Sequence, residues 1–212
     1  MTQLPAIVLV LGMTTLSLVV ASVLRDRGVP PPATRWVAST LGGLAYLVAV
    51  LWLDRSTALA LSAVALLTVA TLRARRASLL RGLRWSPRER SRAELGYCAA
   101  ATLALAVGWA ARQDPRVALL AILFMAWGDA SAGLVRDARP GSLPHSLGAS
   151  AAMLGVSLAS AWLVYPSAAG LAAGVVATVA EAFWPLTRSR LSDSWPVVGS
   201  ALGVIALLGG AV

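Results

Sequence analysis

Long apolar stretches alternate with short polar ones along the whole chain. Eight of these stretches approach or exceed about 18 residues, the length with which an α-helix crosses a bilayer. They predict transmembrane helices at residues 4–24, 36–53, 56–72, 95–111, 117–135, 147–165, 167–187 and 195–212. The pattern therefore predicts an all-α, polytopic membrane helix bundle of about eight transmembrane helices, in one integral membrane domain over residues 1–212.

The composition agrees with this pattern. Hydrophobic residues make up 58% of the chain and charged residues 13%, whereas a soluble domain carries about a quarter of charged residues. The single cysteine, Cys98, lies in an apolar run and has no second cysteine with which to form an internal disulfide. A soluble globular domain is thereby excluded, and lipid is expected to be one of the packing partners of the helices.

The arginines predict how the bundle is oriented. The first span has no basic residue before it and is followed by Arg25 and Arg27. Because cytoplasmic connections are enriched in basic residues, the N-terminus is predicted outside, and eight spans then place the C-terminus outside as well. All 18 basic residues are arginines, and only Arg55, Arg112 and Arg116 fall outside in this topology. The remaining fifteen lie in the four predicted cytoplasmic connections, which supports the span count.

The largest of these connections is a basic loop, residues 73–94, whose arginines alternate with leucines and Trp85. Such a composition predicts an interfacial amphipathic segment that contacts anionic membrane lipids, and a contact with substrate is the alternative. Topology and lipid contact account for the net charge of +9, so nucleic acid is not an expected partner.

Two carboxylates are predicted at membrane depth. Asp129 precedes Arg136 by seven residues, and Glu181 precedes Arg188 by seven, so each acid should lie roughly 10 Å inward of the same membrane surface. An ionisable side chain within the hydrocarbon layer is costly and is expected to face protein or water. The two acids then either bind Mg²⁺ or substrate, or each pairs with an arginine to hold helices together. Asp193 lies at the mouth of the last span on the same side.

The Gly/Pro-rich loop after the fifth span is a candidate phosphate site. It begins with Arg136 and Arg139 and ends with His145 and Ser146, immediately before the sixth span. The free N–H groups at a helix start attract anions, although capping of the helix by Ser146 is a simpler role for that residue. A Walker-type phosphate loop is excluded because the chain contains no lysine.

Four short motifs together resemble the CTP-dependent lipid kinases, which include dolichol kinase, phytol and farnesol kinases and the CTP-type diacylglycerol kinase. In chain order the motifs are Gly128-Asp129-Ala130-Ser131-Ala132, HSLGASAAM at 145–153, ATVAEAFWP at 177–185 and LSDSWPVVGSAL at 191–202. The resemblance runs from about residue 34 to the end and lies in the order and spacing of the motifs. His145 stands where the family has a lysine, and Asp193-Ser194 stands where it has Asp-Asn.

The resemblance implies an enzyme of the plasma membrane whose active site faces the cytoplasm. It would transfer the γ-phosphoryl group of CTP to the hydroxyl of an isoprenoid or related lipid alcohol of the phytol, polyprenol or dolichol kind, and it would act alone or as a homodimer. The implied catalytic residues are Asp129 and Glu181, which would also bind Mg²⁺ together with Asp193. The implied contacts to the nucleotide phosphates are Arg136, Arg139, His145, Ser146 and Gly148.

Two other functions remain open from the sequence. One is synthesis of a CDP-lipid, as by a phosphatidate cytidylyltransferase. The other is not enzymatic, and makes the chain an inactive scaffold or a small-molecule transporter.

Overall fold

The computed structural model of the protein describes residues 3–75, 93–109, 113–137, 147–183 and 194–208. In these ranges the chain forms eight helical rods and no strand, which confirms the all-α prediction for them. The rods are α1 (Leu4–Asp26), α2 (Pro31–Trp52), α3 (Arg55–Ala74), α4 (Ala93–Ala104, continued by the π-helical segment Leu105–Trp109), α5 (Pro115–Leu123, continued by the π-helical segment Phe124–Asp129 and by Ala130–Asp137), α6 (Leu147–Val164), α7 (Ala168–Phe183) and α8 (Ser194–Leu208).

Five helices, α1, α2, α3, α5 and α6, are long and apolar enough to cross a membrane. The other three, α4, α7 and α8, are apolar but shorter in the described residues. The chain is therefore a membrane-embedded helix bundle. The eight-span count and the placement of both termini outside remain predictions.

The predicted span limits agree with the helices within a few residues, apart from one boundary. The second span was expected to begin at residue 36, but α2 begins at Pro31, so Arg35 is part of the helix and not of the preceding connection. Proline is favoured at the first position of a helix because its φ is already helical and its missing N–H would have no partner there. Residues 76–92 of the basic loop and the predicted span ends at 111, 187 and 212 lie outside the described residues.

Short, well-capped turns join the first three helices. Gly28, with φ of 82°, closes α1, and the hydrogen bonds Gly28 N–H to Arg25 O and Val29 N–H to Leu24 O form a Schellman motif. At the other end of the bundle, the Asp54 carboxylate caps α3 by accepting the Thr57 N–H at 2.9 Å. Consecutive helices therefore run in opposite directions here.

Helix α5 occupies the centre of the bundle. Every residue from Val117 to Ala126 is at most 3% exposed, and α5 contacts α2, α4, α6, α7 and α8. By contrast, only 17% of the most apolar stretch of α1 or of α3 is buried, against 67% for α5. Helices α1 and α3 therefore present most of their surface to lipid, while α5 is surrounded by protein.

Small residues bring the later helices together. Gly170 and Gly174 are both buried in α7. A methyl group added at Gly174 would lie 3.4 Å from the Cβ of Ser157 on α6, so the two helices are in close contact at this point. Small side chains permit such an approach between membrane helices.

Candidate functional site

The last turns of α5 and α7 are joined by a buried ion pair. Nη2 of Arg136 on α5 donates a hydrogen bond to Oε1 of Glu181 on α7. The Glu181 side chain is only 4% exposed, and the Arg136 side chain is 27% exposed. The sequence selected both residues but assigned Arg136 to nucleotide phosphates and Glu181 to catalysis and Mg²⁺. The structure brings them into direct contact. This contact matches the alternative role for the acids, in which each pairs with an arginine and holds two helices together.

Asp129 lies two helical turns before Arg136 on the same helix. The seven positions from Asp129 to Arg136 correspond to a rise of roughly 10 Å and return the chain to nearly the same helix face. Asp129 is partly buried and is the last residue of the π-helical segment Phe124–Asp129. Single π-helical turns within α-helices are frequent at functional sites. The Asp129 carboxylate is thus placed inward of the Arg136–Glu181 pair.

Contacts on both sides of Asp129 fix its position. On one side the Trp127 ring lies against Gly43 of α2, and its Nε1–H donates to the Thr40 carbonyl at 3.4 Å. A Cβ atom at Gly43 would lie 2.7 Å from Nε1 of Trp127, so only glycine permits this contact. The contact also explains a tryptophan that lies away from the ends of its span, since its indole N–H has a partner inside the protein.

On the other side, Gly128 lies against α6. A Cβ atom at Gly128 would be 2.9 Å from the Oγ atom of Ser157. Ser157 is fully buried, and its Oγ has no hydrogen-bond partner among the described residues. Gly128 carries a signal in the sequence because it belongs to the motif around Asp129. Ser157 carries none, because a lone serine in an apolar span has no distinguishing pattern.

The start of α6 lies beside the last turn of α5. A Cβ atom at Gly148 would be 3.4 Å from Cγ1 of Val135, the neighbour of Arg136. Gly148 is exposed, so this corner of the site is open. Arg139, His145, Ser146 and Asp193, which the sequence also assigns to the site, lie outside the described residues.

The donor atoms in the described part of the chain fit one Mg²⁺ ion only if a phosphate completes its coordination. No group of three or more histidine, cysteine, aspartate or glutamate side chains there is placed to hold a metal. Asp129 and Glu181 supply two carboxylates, and Mg²⁺ typically binds one or two carboxylates together with substrate phosphates and water. The Nε atom of Arg136 is buried without a hydrogen-bond partner in the same part of the chain, which leaves one donor for an anion.

A second buried ion pair lies at the same end of the bundle. Nη1 of Arg73, at the end of α3, donates to Oε2 of Glu94, at the start of α4, at 2.9 Å. The exposed fractions of the two side chains, 23% and 6%, are close to those of Arg136 and Glu181. Helix α4 is antiparallel to both α3 and α5, so the C-terminal ends of α3 and α5 face the same way. Helix α3 has no acid inward of Arg73 that would correspond to Asp129, because the only charged residues of α3 are arginines.

Comparison with known proteins adds no assignment, since no protein family, no curated protein and no solved structure matches the chain. The resemblance to the CTP-dependent lipid kinases therefore depends on the short motifs, their order and their spacing.

Proposed function

We propose that this chain is a membrane lipid kinase that transfers the γ-phosphoryl group of CTP to the hydroxyl of an isoprenoid or related lipid alcohol, at a site that faces the cytoplasm. The observation that carries the proposal is the buried Arg136–Glu181 contact near the ends of α5 and α7, with Asp129 two turns further inward on α5. One donor of the Arg136 guanidinium has no partner among the described residues.

Phosphoryl transfer requires positioning and charge neutralisation more than covalent participation of the protein. In this proposal the Arg136 guanidinium binds the nucleotide phosphates, since its planar donors match phosphate oxygens. Asp129 and Glu181 hold Mg²⁺, and Asp129 also orients the lipid hydroxyl. When bound, Mg²⁺ neutralises negative charge on the phosphates.

The loop before α6 completes the proposed site. Arg139, His145, Ser146 and the exposed Gly148 would add contacts to the phosphates. Asp193 would be a further ligand of the metal or a contact to the ribose. His145 takes the place of the family's lysine in this contact.

The depth of Asp129 suits a lipid substrate. The Asp129 carboxylate lies roughly 10 Å inward of the helix end. A lipid alcohol that enters sideways between helices brings its hydroxyl to that depth, whereas a soluble alcohol would bind nearer the membrane surface.

The direct test uses the purified protein in nanodiscs with CTP labelled at the γ-phosphate, Mg²⁺ and either phytol or a short polyprenol. We expect a labelled lipid phosphate and release of CDP. Asp129→Asn removes the charge with little change in shape and should abolish the product. Unchanged turnover in that variant would contradict the assignment. A parallel assay with phosphatidate in place of the alcohol tests the alternative, since release of pyrophosphate and formation of a CDP-lipid would identify the cytidylyltransferase reaction.

A scaffold without catalytic activity is the second candidate, and the Arg136–Glu181 pair itself favours it. An ion pair between two helices satisfies a buried carboxylate without any ligand. A scaffold would show no increase in melting temperature with CTP and Mg²⁺, whereas the kinase would be stabilised by its bound nucleotide. A transporter is less well supported, because Asp129 and Glu181 both lie toward one end of the bundle.

A further inference from the structure

Glu181, the proposed metal ligand, and Arg136, the proposed phosphate ligand, neutralise each other's charge in the structure. Glu181 accepts a hydrogen bond from Arg136 and is almost completely buried. This bond occupies Oε1 of Glu181 and Nη2 of Arg136. A cation that binds Oε1 or a phosphate that binds Nη2 therefore has to replace the ion pair.

Neither ligand can replace the pair alone without leaving a buried charge. A nucleotide without metal can attract Arg136, but this leaves Glu181 without a counter-charge. A metal ion without nucleotide can attract Glu181, but this leaves Arg136 without one. Removing one partner of a buried ion pair is strongly unfavourable for this reason. A complex of metal and nucleotide supplies both replacements at the same time.

We propose, on the basis of the proposed function, that the Arg136–Glu181 ion pair is an autoinhibitory contact that opens by exchange. The nucleotide phosphate takes Arg136, the divalent cation takes Glu181, and the site accepts the two only together. The Arg136 side chain is 27% exposed and provides the first contact for the phosphate. Its buried Nε, which has no partner among the described residues, gains one when the bond from Nη2 to Glu181 breaks. The pair keeps the site closed to free nucleotide and to free metal.

The Arg73–Glu94 pair provides a matched control. It joins two helices at the same end of the bundle, with similar burial of both partners. Because it lies between α3 and α4, away from Asp129, its loss should not affect the binding of nucleotide.

The test measures equilibrium binding of tritiated CTP to the full-length protein in nanodiscs, with EDTA or with Mg²⁺. In the wild type, Mg²⁺ should strengthen binding markedly. In Glu181→Gln, which keeps the shape of the side chain but not its charge, Arg136 is released. Metal-free CTP should then bind at least about tenfold more tightly than to the wild type, and Mg²⁺ should strengthen binding less than in the wild type, because only Asp129 remains of the two carboxylates on α5 and α7. Glu94→Gln should bind CTP as the wild type does under both conditions.

The outcomes separate the two proposals. If the wild type binds CTP with Mg²⁺ but Glu181→Gln binds metal-free CTP no better than the wild type, the exchange is refuted and the proposed function stands. If the wild type binds no CTP under either condition, both are refuted.

A second measurement follows the metal directly. The wild type should bind Mn²⁺, detected by electron paramagnetic resonance, only when CTP is present. Arg136→Gln should bind Mn²⁺ without CTP, because Glu181 has lost its counter-charge. Equal Mn²⁺ binding by the two proteins without CTP would refute the exchange. Circular dichroism and gel filtration show whether each variant is folded. If Arg136→Gln is not folded, the CTP-binding measurement on Glu181→Gln remains the test of the exchange.

Discussion

The contact between Gly43 and Trp127 offers a sharp test of how the site is positioned, independent of what the site binds. Gly43→Ala adds a methyl group 2.7 Å from Nε1 of Trp127 and 3.0 Å from Cβ of Ala126. Ordinary contacts begin at about 3.4 Å, so helices α2 and α5 must separate by several tenths of an ångström. Neither neighbour is the flexible end of a side chain, because a tryptophan ring inside a bundle cannot move aside alone.

The magnitude follows from three contributions. Overfilling a packed interior costs about 1–3 kcal/mol. Weakening the 3.4 Å bond from Trp127 to the Thr40 carbonyl adds about 1 kcal/mol. The higher helix propensity of alanine offsets up to about 1 kcal/mol of this loss in stability. The variant should therefore be less stable by about 1–3 kcal/mol, a large part of the stability of a typical domain.

Unfolding in mixed micelles of a mild detergent and sodium dodecyl sulfate, followed by circular dichroism, measures this difference. Gly12→Ala is the matched control, since nothing lies within 4 Å of the position its Cβ would take, and its stability should equal or slightly exceed that of the wild type. Trp127→Phe removes the ring nitrogen that meets the new methyl group, so the double variant should lose less than the sum of the single losses. If Gly43→Ala is as stable as Gly12→Ala, the close approach of α2 and α5 is wrong.

Two further predictions concern buried and capping side chains. Ser157→Ala should leave stability unchanged or raise it by up to about 1 kcal/mol, because it removes a buried hydroxyl that has no partner among the described residues. Ser157→Val should lower it by about 1–3 kcal/mol, since Gly128 and Gly174 lie against this position; equal stability of the two variants in the same unfolding assay would contradict this packing. At the opposite end of the bundle, hydrogen bonds from the Ser56 hydroxyl, the Thr57 N–H and the Gln3 amide hold the pKa of Asp54 below its usual range. A lowered pKa means that the stabilisation is present above the unfolded value near pH 4 and is lost as the pH falls through the lower folded value. Melting temperatures from pH 6 to pH 3 should therefore decline more for the wild type than for Asp54→Asn, and parallel curves would show that the cap does not contribute.

The candidate site illustrates what short motifs convey. The motif around Asp129 selected a residue that lies next to two close helix contacts, through Trp127 and Gly128. By spacing alone Asp129 and Glu181 are alike, since each precedes an arginine by seven residues. The structure distinguishes them, because Glu181 is paired with Arg136 from another helix, 45 residues away in the chain. Arg188, the arginine seven residues after Glu181, lies outside the described residues.

The sequence alone determined the class of fold and the approximate extent of each helix. Bilayer thickness sets the length of an apolar run, and proline or glycine residues mark several ends, as at Pro31 and Gly28. Arg35 accounts for the five-residue difference at the start of α2. A basic residue next to an apolar run typically marks the edge of a connection, but a long basic side chain can also lie within a helix and extend its charge toward the surface.

Only the tertiary structure decided which helix is central and which residues meet. In a soluble protein, polar positions mark the outer face of a helix, but residues that face lipid and residues that face protein are equally apolar. The sequence of α5 therefore does not reveal that α5 contacts five other helices, nor that Arg136 reaches Glu181. Those facts depend on how closely α5 approaches α2, α6 and α7, and that distance is set by the space left at Gly43, Gly128 and Gly174.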